Sequence, residues 1–78
     1  MRTFVVMKKS TLGMGETEDP IGVVQGETSE EAVEKFDSEA ILIPWPRNDV
    51  WDIEGVKDPE FPHSTTFQLY EVPLFPLL

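Results

Sequence analysis

Apolar residues along this chain recur at two different periods, and each change of period marks an element. From Thr3 to Lys9, β-branched and aromatic side chains fall on both alternating faces, Phe4 and Val6 on one, Val5 and Met7 on the other. A strand that is apolar on both sides is predicted to lie inside a sheet. Ser10 to Pro20 carries Gly13, Gly15 and the acids Glu16, Glu18 and Asp19, and reads as a loop longer than a tight hairpin turn. Ile21 to Gly26 is a second strand, with Ile21 and Val23 on one face. Gly22 and Gly26 weaken it and point to a bulge or a close neighbour.

The period then lengthens. Thr28 stands at an N-cap position with Glu31 three residues on, a capping box in which each end of the first turn satisfies the other. Glu30 and Glu31 occupy the first turn, where the helix dipole favours negative charge. Ala32, Val33, Phe36 and Ala40 recur at helical spacing, and Glu31 can pair with Lys35 one turn later. A helix is predicted from Ser29 to about Ser38. The junction from Gly26 to Ala32 recurs in many small α+β proteins, short phage-encoded inhibitors of host enzymes among them, because capping physics selects it.

Pro44 and Pro46 interrupt the apolar run Ile41-Leu42-Ile43-Pro44-Trp45-Pro46, which is expected to be irregular and extended. Asp49 to Val56 alternates, Trp51 and Ile53 one way, Asp52 and Glu54 the other, as a half-buried strand does. Gly55 to Ser64, with Pro59 and Pro62, is a loop. Thr65 to Val72 is the last strand, with Phe67 and Leu69 opposite Gln68 and Tyr70. The predicted order is β-β-α-β-β, a small two-layer α+β domain with one helix on one face of an antiparallel sheet. Residues 1–72 form the domain and residues 73–78 an apolar, proline-containing C-terminal tail. Phe36, Trp51, Ile53, Phe67 and Leu69 are expected to share the core.

Size and composition narrow the picture further. Seventy-eight residues make one domain with a thin stability margin. The absence of cysteine removes disulfides and thiolate metal sites, and a cytoplasmic location is the simpler expectation. The apolar run at Ala40–Pro46 is far short of the ~20 residues of a membrane span. The N-terminal apolar stretch is too short for a signal peptide.

Charge is segregated. Residues 1–15 hold Arg2, Lys8 and Lys9 and no acid; residues 16–39 hold nine acids against Lys35; residues 40–78 hold six acids against Arg47 and Lys57, for a net charge of −9. Such a field repels phosphate backbones and anionic lipid, so direct nucleic-acid and membrane binding are disfavoured, and a basic protein partner is attracted.

A search for chemistry yields little. The single histidine, His63, adjoins Ser64 in a proline-flanked loop, whereas a catalytic pair brings its base from elsewhere in the fold. One histidine and no cysteine leave a zinc site short of ligands. A calcium loop set on Gly55 would require acids where Val50 and Phe61 stand. Asp52 and Glu54 share a strand face, but a glycosidase places its carboxylates across a cleft. Gly13-x-Gly15 lacks the third glycine of a phosphate loop and is crowded by acids. No catalytic residue, cofactor or metal is expected.

The expected function is therefore contact: a small acidic, non-enzymatic module that binds a protein partner or itself through an apolar patch rimmed by acids. Trp45, Phe75 and Leu77 are the candidate anchors, and Glu30, Glu34 and Asp37 the candidate steering charges. One alternative is an inhibitor of the phage or mobile-element type that occludes a basic, nucleic-acid-handling surface of a host enzyme. Another is an accessory subunit of a larger assembly.

Overall fold

A computed structural model describes residues 1–11, 13 and 15–73. Its elements are β1 (Arg2–Ser10), β2 (Thr17–Gly26), α1 (Ser29–Phe36), β3 (Ile41–Pro44), β4 (Val50–Glu54) and β5 (Thr65–Val72). All strand pairs are antiparallel, and the sheet runs β2-β1-β5-β4-β3. The chain is a small α+β domain.

β1, apolar on both faces, pairs with β2 on one side and β5 on the other. β2 begins earlier than the glycine-rich pattern suggests, at Thr17, and takes in Pro20. Register shifts there: Val6 faces Gly22 and Met7 faces Pro20, which leaves Ile21 as the extra residue of a bulge. Pro20 is tolerated because β2 is an edge strand and a missing donor can face solvent.

The helix starts as predicted, with the Glu31 amide donating to Thr28 Oγ1 at 3.1 Å. It stops at Phe36, two residues short of expectation. Asp37 turns extended; its carboxylate accepts the Glu39 amide at 2.9 Å and its carbonyl accepts the Ala40 amide at 3.1 Å. A local side-chain bond of this kind offers the backbone an alternative to another helical turn. The Glu31–Lys35 pair does not form; Lys35 Nζ instead donates to the Gln25 carbonyl at 2.6 Å, tying the helix back to β2.

The principal correction concerns Ile41–Pro44. The expected irregular segment is the third strand in chain order, which raises the strands from four to five and makes the element order β-β-α-β-β-β. The Trp45 amide donates to the Val50 carbonyl at 3.2 Å, which turns the backbone groups of Leu42 and Pro44 outward at the sheet edge. A proline costs little there, because no neighbour needs its donor.

The helix supplies Ala32 and Val33 to a buried cluster with Phe4, Val6, Ile53, Phe67 and Leu69, all from one face of the sheet. Phe36 and Trp51 pack at its border, Phe36 beside Phe67 (centroids 6.0 Å) and Trp51 edge-on to Phe4 (5.8 Å). Gly26 lets the helix come this close: a Cβ there would lie 2.8 Å from the Ala32 nitrogen. The loop after β4 is pinned by Asp58, a buried carboxylate. It accepts from the Glu60 and Phe61 amides and from Thr65 Oγ1, and lies 2.9 Å from Lys8 Nζ.

Candidate interaction surface

Strand alternation sends half of the sheet's side chains away from the helix. That face carries Val23 on β2, Val5 and Met7 on β1, Gln68, Tyr70 and Val72 on β5, Val50, Asp52 and Glu54 on β4, and Ile41 and Ile43 on β3, of which Val50 and Gln68 are buried. No helix or strand among the described residues covers it. Val23 is 67% exposed and Ile41 58%, and Ile21, Ile43 and Val72 are exposed as well. Apart from Val72, these exposed side chains mark the two edges of one face, on β2 and β3, with the half-buried Val5, Met7 and Tyr70 between them, and so differ from apolar residues scattered singly over a surface.

A chain of hydrogen bonds crosses this face. Trp45 Nε1 donates to Asp52 Oδ1 at 2.8 Å, and Gln68 Nε2 donates to the same oxygen at 3.1 Å. The Tyr70 hydroxyl donates to Gln68 Oε1 at 2.9 Å, with a longer contact of 3.4 Å to Glu18. Burial and the nearby Glu18 carboxylate raise the Tyr70 pKa, so its hydroxyl stays protonated as the donor. Gln68 is buried, and no buried side-chain polar atom among the described residues lacks a partner. The network fixes Trp45 and Asp52 as a unit. Beside it, Asp52, Ile53, Glu54, Thr66 and Phe67 line a hollow of about 200 Å³.

The sheet's edges offer less. β2 carries Glu18, Asp19, Pro20 and the bulge at Ile21, and β3 is four residues long and ends in Pro44. Charges, prolines, bulges and short length are the devices that discourage strand addition.

Most cations of the chain are already engaged. Arg2 makes a two-pronged pair with Glu71 (2.9 and 2.8 Å), and Arg47 does the same with Asp49 (3.1 and 3.0 Å). Bonding to Glu71 raises the Arg2 pKa, and Arg2 in turn lowers that of Glu71. With Lys8 on Asp58 and Lys35 on Gln25, only Lys9 and Lys57 lack such a partner among the described residues. The carboxylates of Glu27, Glu31, Glu34, Glu39 and Glu54 are exposed and lack an ion-pair partner among the described residues.

The predicted site residues separate on this frame. Trp45, 37% exposed, stands at the β3–β4 end of the open face. Glu30 and Glu34 are exposed on α1, which packs against β2 and β1 at the other end of the sheet. Asp37 is half-buried and occupied in the turn after the helix. Phe75 and Leu77 lie outside the described residues. Sequence reading passed over Val23, Ile41, Asp52 and Gln68 as binding residues; the alternation of Asp52 with Trp51 and Ile53 was visible, but only strand pairing sets Gln68 and Trp45 beside it. His63 is exposed in the turn before β5. Among the described residues no group of three or more His, Asp or Glu is placed to hold a metal ion, and no helix is long and apolar enough to cross a membrane.

Comparison with known protein families, with curated proteins and with solved structures finds no match to this chain.

Proposed function

We propose that this chain is a two-layer, non-enzymatic interaction module that binds a different protein through the sheet face opposite α1. The observation that supports it most is the grouping of Ile21, Val23, Ile41, Ile43 and Trp45 as exposed side chains on and beside a face with no covering helix or strand among the described residues. Blunted edges favour docking on the face over strand addition. A different protein is favoured over a second copy because two molecules of charge −9 repel. Aromatic anchors such as Trp45 carry much of the energy at interfaces of this kind.

The test is a photo-cross-linking side chain placed singly at Val23, Ile43, Glu34 and Lys57 in protein expressed in its source cells. The reading expects one discrete heterologous product from Val23 and Ile43 and none from the loop position Lys57. Val23→Glu or Ile43→Glu, both at exposed positions and costing within about 1 kcal/mol of stability, should abolish that product. No product above the Lys57 background at either position overturns the reading.

A second reading is favoured by one observation, the largely uncompensated acids of α1. Lys35 is drawn to Gln25, leaving Glu31 and Glu34 without an ion-pair partner among the described residues. On this reading the helix row occludes a basic, nucleic-acid-handling surface of another protein. A product from Glu34 alone, lost steeply as salt is raised, would favour it, because screening removes most of the attraction between exposed charges.

A further inference from the structure

We infer that the open sheet face receives a basic protein segment, and that the hollow beside Trp45 takes an arginine side chain from it. This rests on the interaction reading above and names the chemistry of the partner. The face combines apolar side chains with excess negative charge: among the described residues Asp52, Glu54 and Glu18 lie on it with Lys9, while Arg47, near Tyr70, is paired with Asp49, in a chain whose other cations are mostly spent on its own carboxylates. A partner that complements both properties is apolar and cationic at once.

Arginine suits the hollow for three reasons. Its volume, about 200 Å³, matches one large side chain and falls below the roughly 300–1,000 Å³ of small-molecule sites. Asp52 is held there in one orientation: both donors from the protein, Trp45 Nε1 and Gln68 Nε2, bond Oδ1, so Oδ2 remains available to a donor from outside. Glu54 follows two residues later on the same face, roughly 6–7 Å along the strand, so a planar guanidinium with five donors can bridge the carboxylates. Exposed Ile41 and Ile43 on β3 pair with Glu54 and Asp52 and offer apolar surface to the arginine stem. Lysine shares the charge but lacks the fork.

The test uses a capped Val-Arg-Val peptide, with its citrulline and lysine counterparts, titrated into isotope-labelled full-length protein. The arginine peptide should shift the Trp45 indole signal and the amides of Asp52, Glu54 and Thr66 together, to saturation. The citrulline peptide, isosteric but neutral, should bind at least tenfold more weakly, since hydrogen bonds between charged partners are about twice as strong as neutral ones. Asp52→Asn should weaken the arginine peptide by a similar factor and Lys9→Gln should tighten it. Should Asp52→Asn disturb the fold, Glu54→Gln alters only an exposed carboxylate and carries the same expectation. Citrulline within twofold of arginine, an unchanged affinity in Glu54→Gln, or shifts confined to other residues would overturn the assignment. A partner captured at Val23 or Ile43 whose binding ignores both carboxylates sinks the arginine alone, whereas no capture at those positions sinks the interaction reading itself.

Discussion

Gly55 closes β4 with φ +84°, and a Cβ at that position would lie 2.5 Å from the carbonyl oxygen of Glu39. Replacing it with alanine imposes two separable costs. A left-handed backbone costs a non-glycine residue about 1–2 kcal/mol. The Glu39 carbonyl must also retreat by at least about half an ångström, and overpacking of this kind costs about 1–3 kcal/mol. Together they approach about 2–5 kcal/mol, a large share of the roughly 4–12 kcal/mol expected for a chain of this length.

The other glycines separate the causes. Gly13 has φ +69° and nothing among the described residues within 4 Å of its would-be Cβ, so Gly13→Ala should bear the backbone cost alone. Gly26 has an ordinary backbone but a contact at 2.8 Å, so Gly26→Ala should bear the steric cost alone, at the helix. Gly22 has neither, so Gly22→Ala should be neutral or slightly stabilising. Urea unfolding followed by tryptophan fluorescence measures all four. With a slope near 1 kcal/mol per molar urea, Gly55→Ala should lower the midpoint by roughly 2 M or more and Gly13→Ala by about half that. Because Glu39 leads into β3 through Ala40, Gly55→Ala should also disturb the Trp45–Asp52 bond. A Gly55→Ala midpoint within about 0.5 M of Gly13→Ala would refute the steric reasoning and, with it, the seating of β3 on β4.

Lys8, together with the Glu60 and Phe61 amides, depresses the Asp58 pKa from 3.8 to about 2 against an opposing contribution from burial. The stabilisation this brings is complete above the unfolded value and is lost as pH falls from about 4 to about 2; the Lys8 pKa is raised from 10.5 by Asp58, so its share persists until the pH rises through that higher value. Urea midpoints across pH 2–7 should fall on the acid side in the wild type, and Asp58→Asn should flatten that fall while lowering the neutral midpoint; an unchanged acid limb would dispose of the Asp58 anchor. Thr28→Ala removes the acceptor for the Glu31 amide and should cost about 1 kcal/mol, read as a lower urea midpoint; no change would mean that water replaces the cap at no cost. Asp52→Asn should move the indole N–H resonance of Trp45 and leave that of Trp51 in place, and equal movement of both would contradict the hydrogen-bond chain across the open face.

How much of this was legible beforehand depended on whether the controlling interaction was local. Thr28, Glu31 and the apolar spacing of Ala32, Val33 and Phe36 act within one or two helical turns, so the helix and its start could be read from the chain. Alternation in β4 and β5 likewise showed which side chains face the core, since a strand's period is a property of its own backbone. In β1, apolar on both faces, only the burial of Phe4 and Val6 decides the core side. Charge segregation needed no fold at all. What required tertiary structure was everything set by a neighbour: β3 is a strand only because Pro44 falls at a free edge, where its missing donor meets no partner. The helix ends early because Asp37 finds the Glu39 amide, and Lys35 abandons Glu31 because β2 presents a carbonyl. The open face was hidden for the same reason, since Trp45, Asp52, Gln68 and Tyr70 belong to separate stretches of sequence and become one network only when β4 and β5 pair in register.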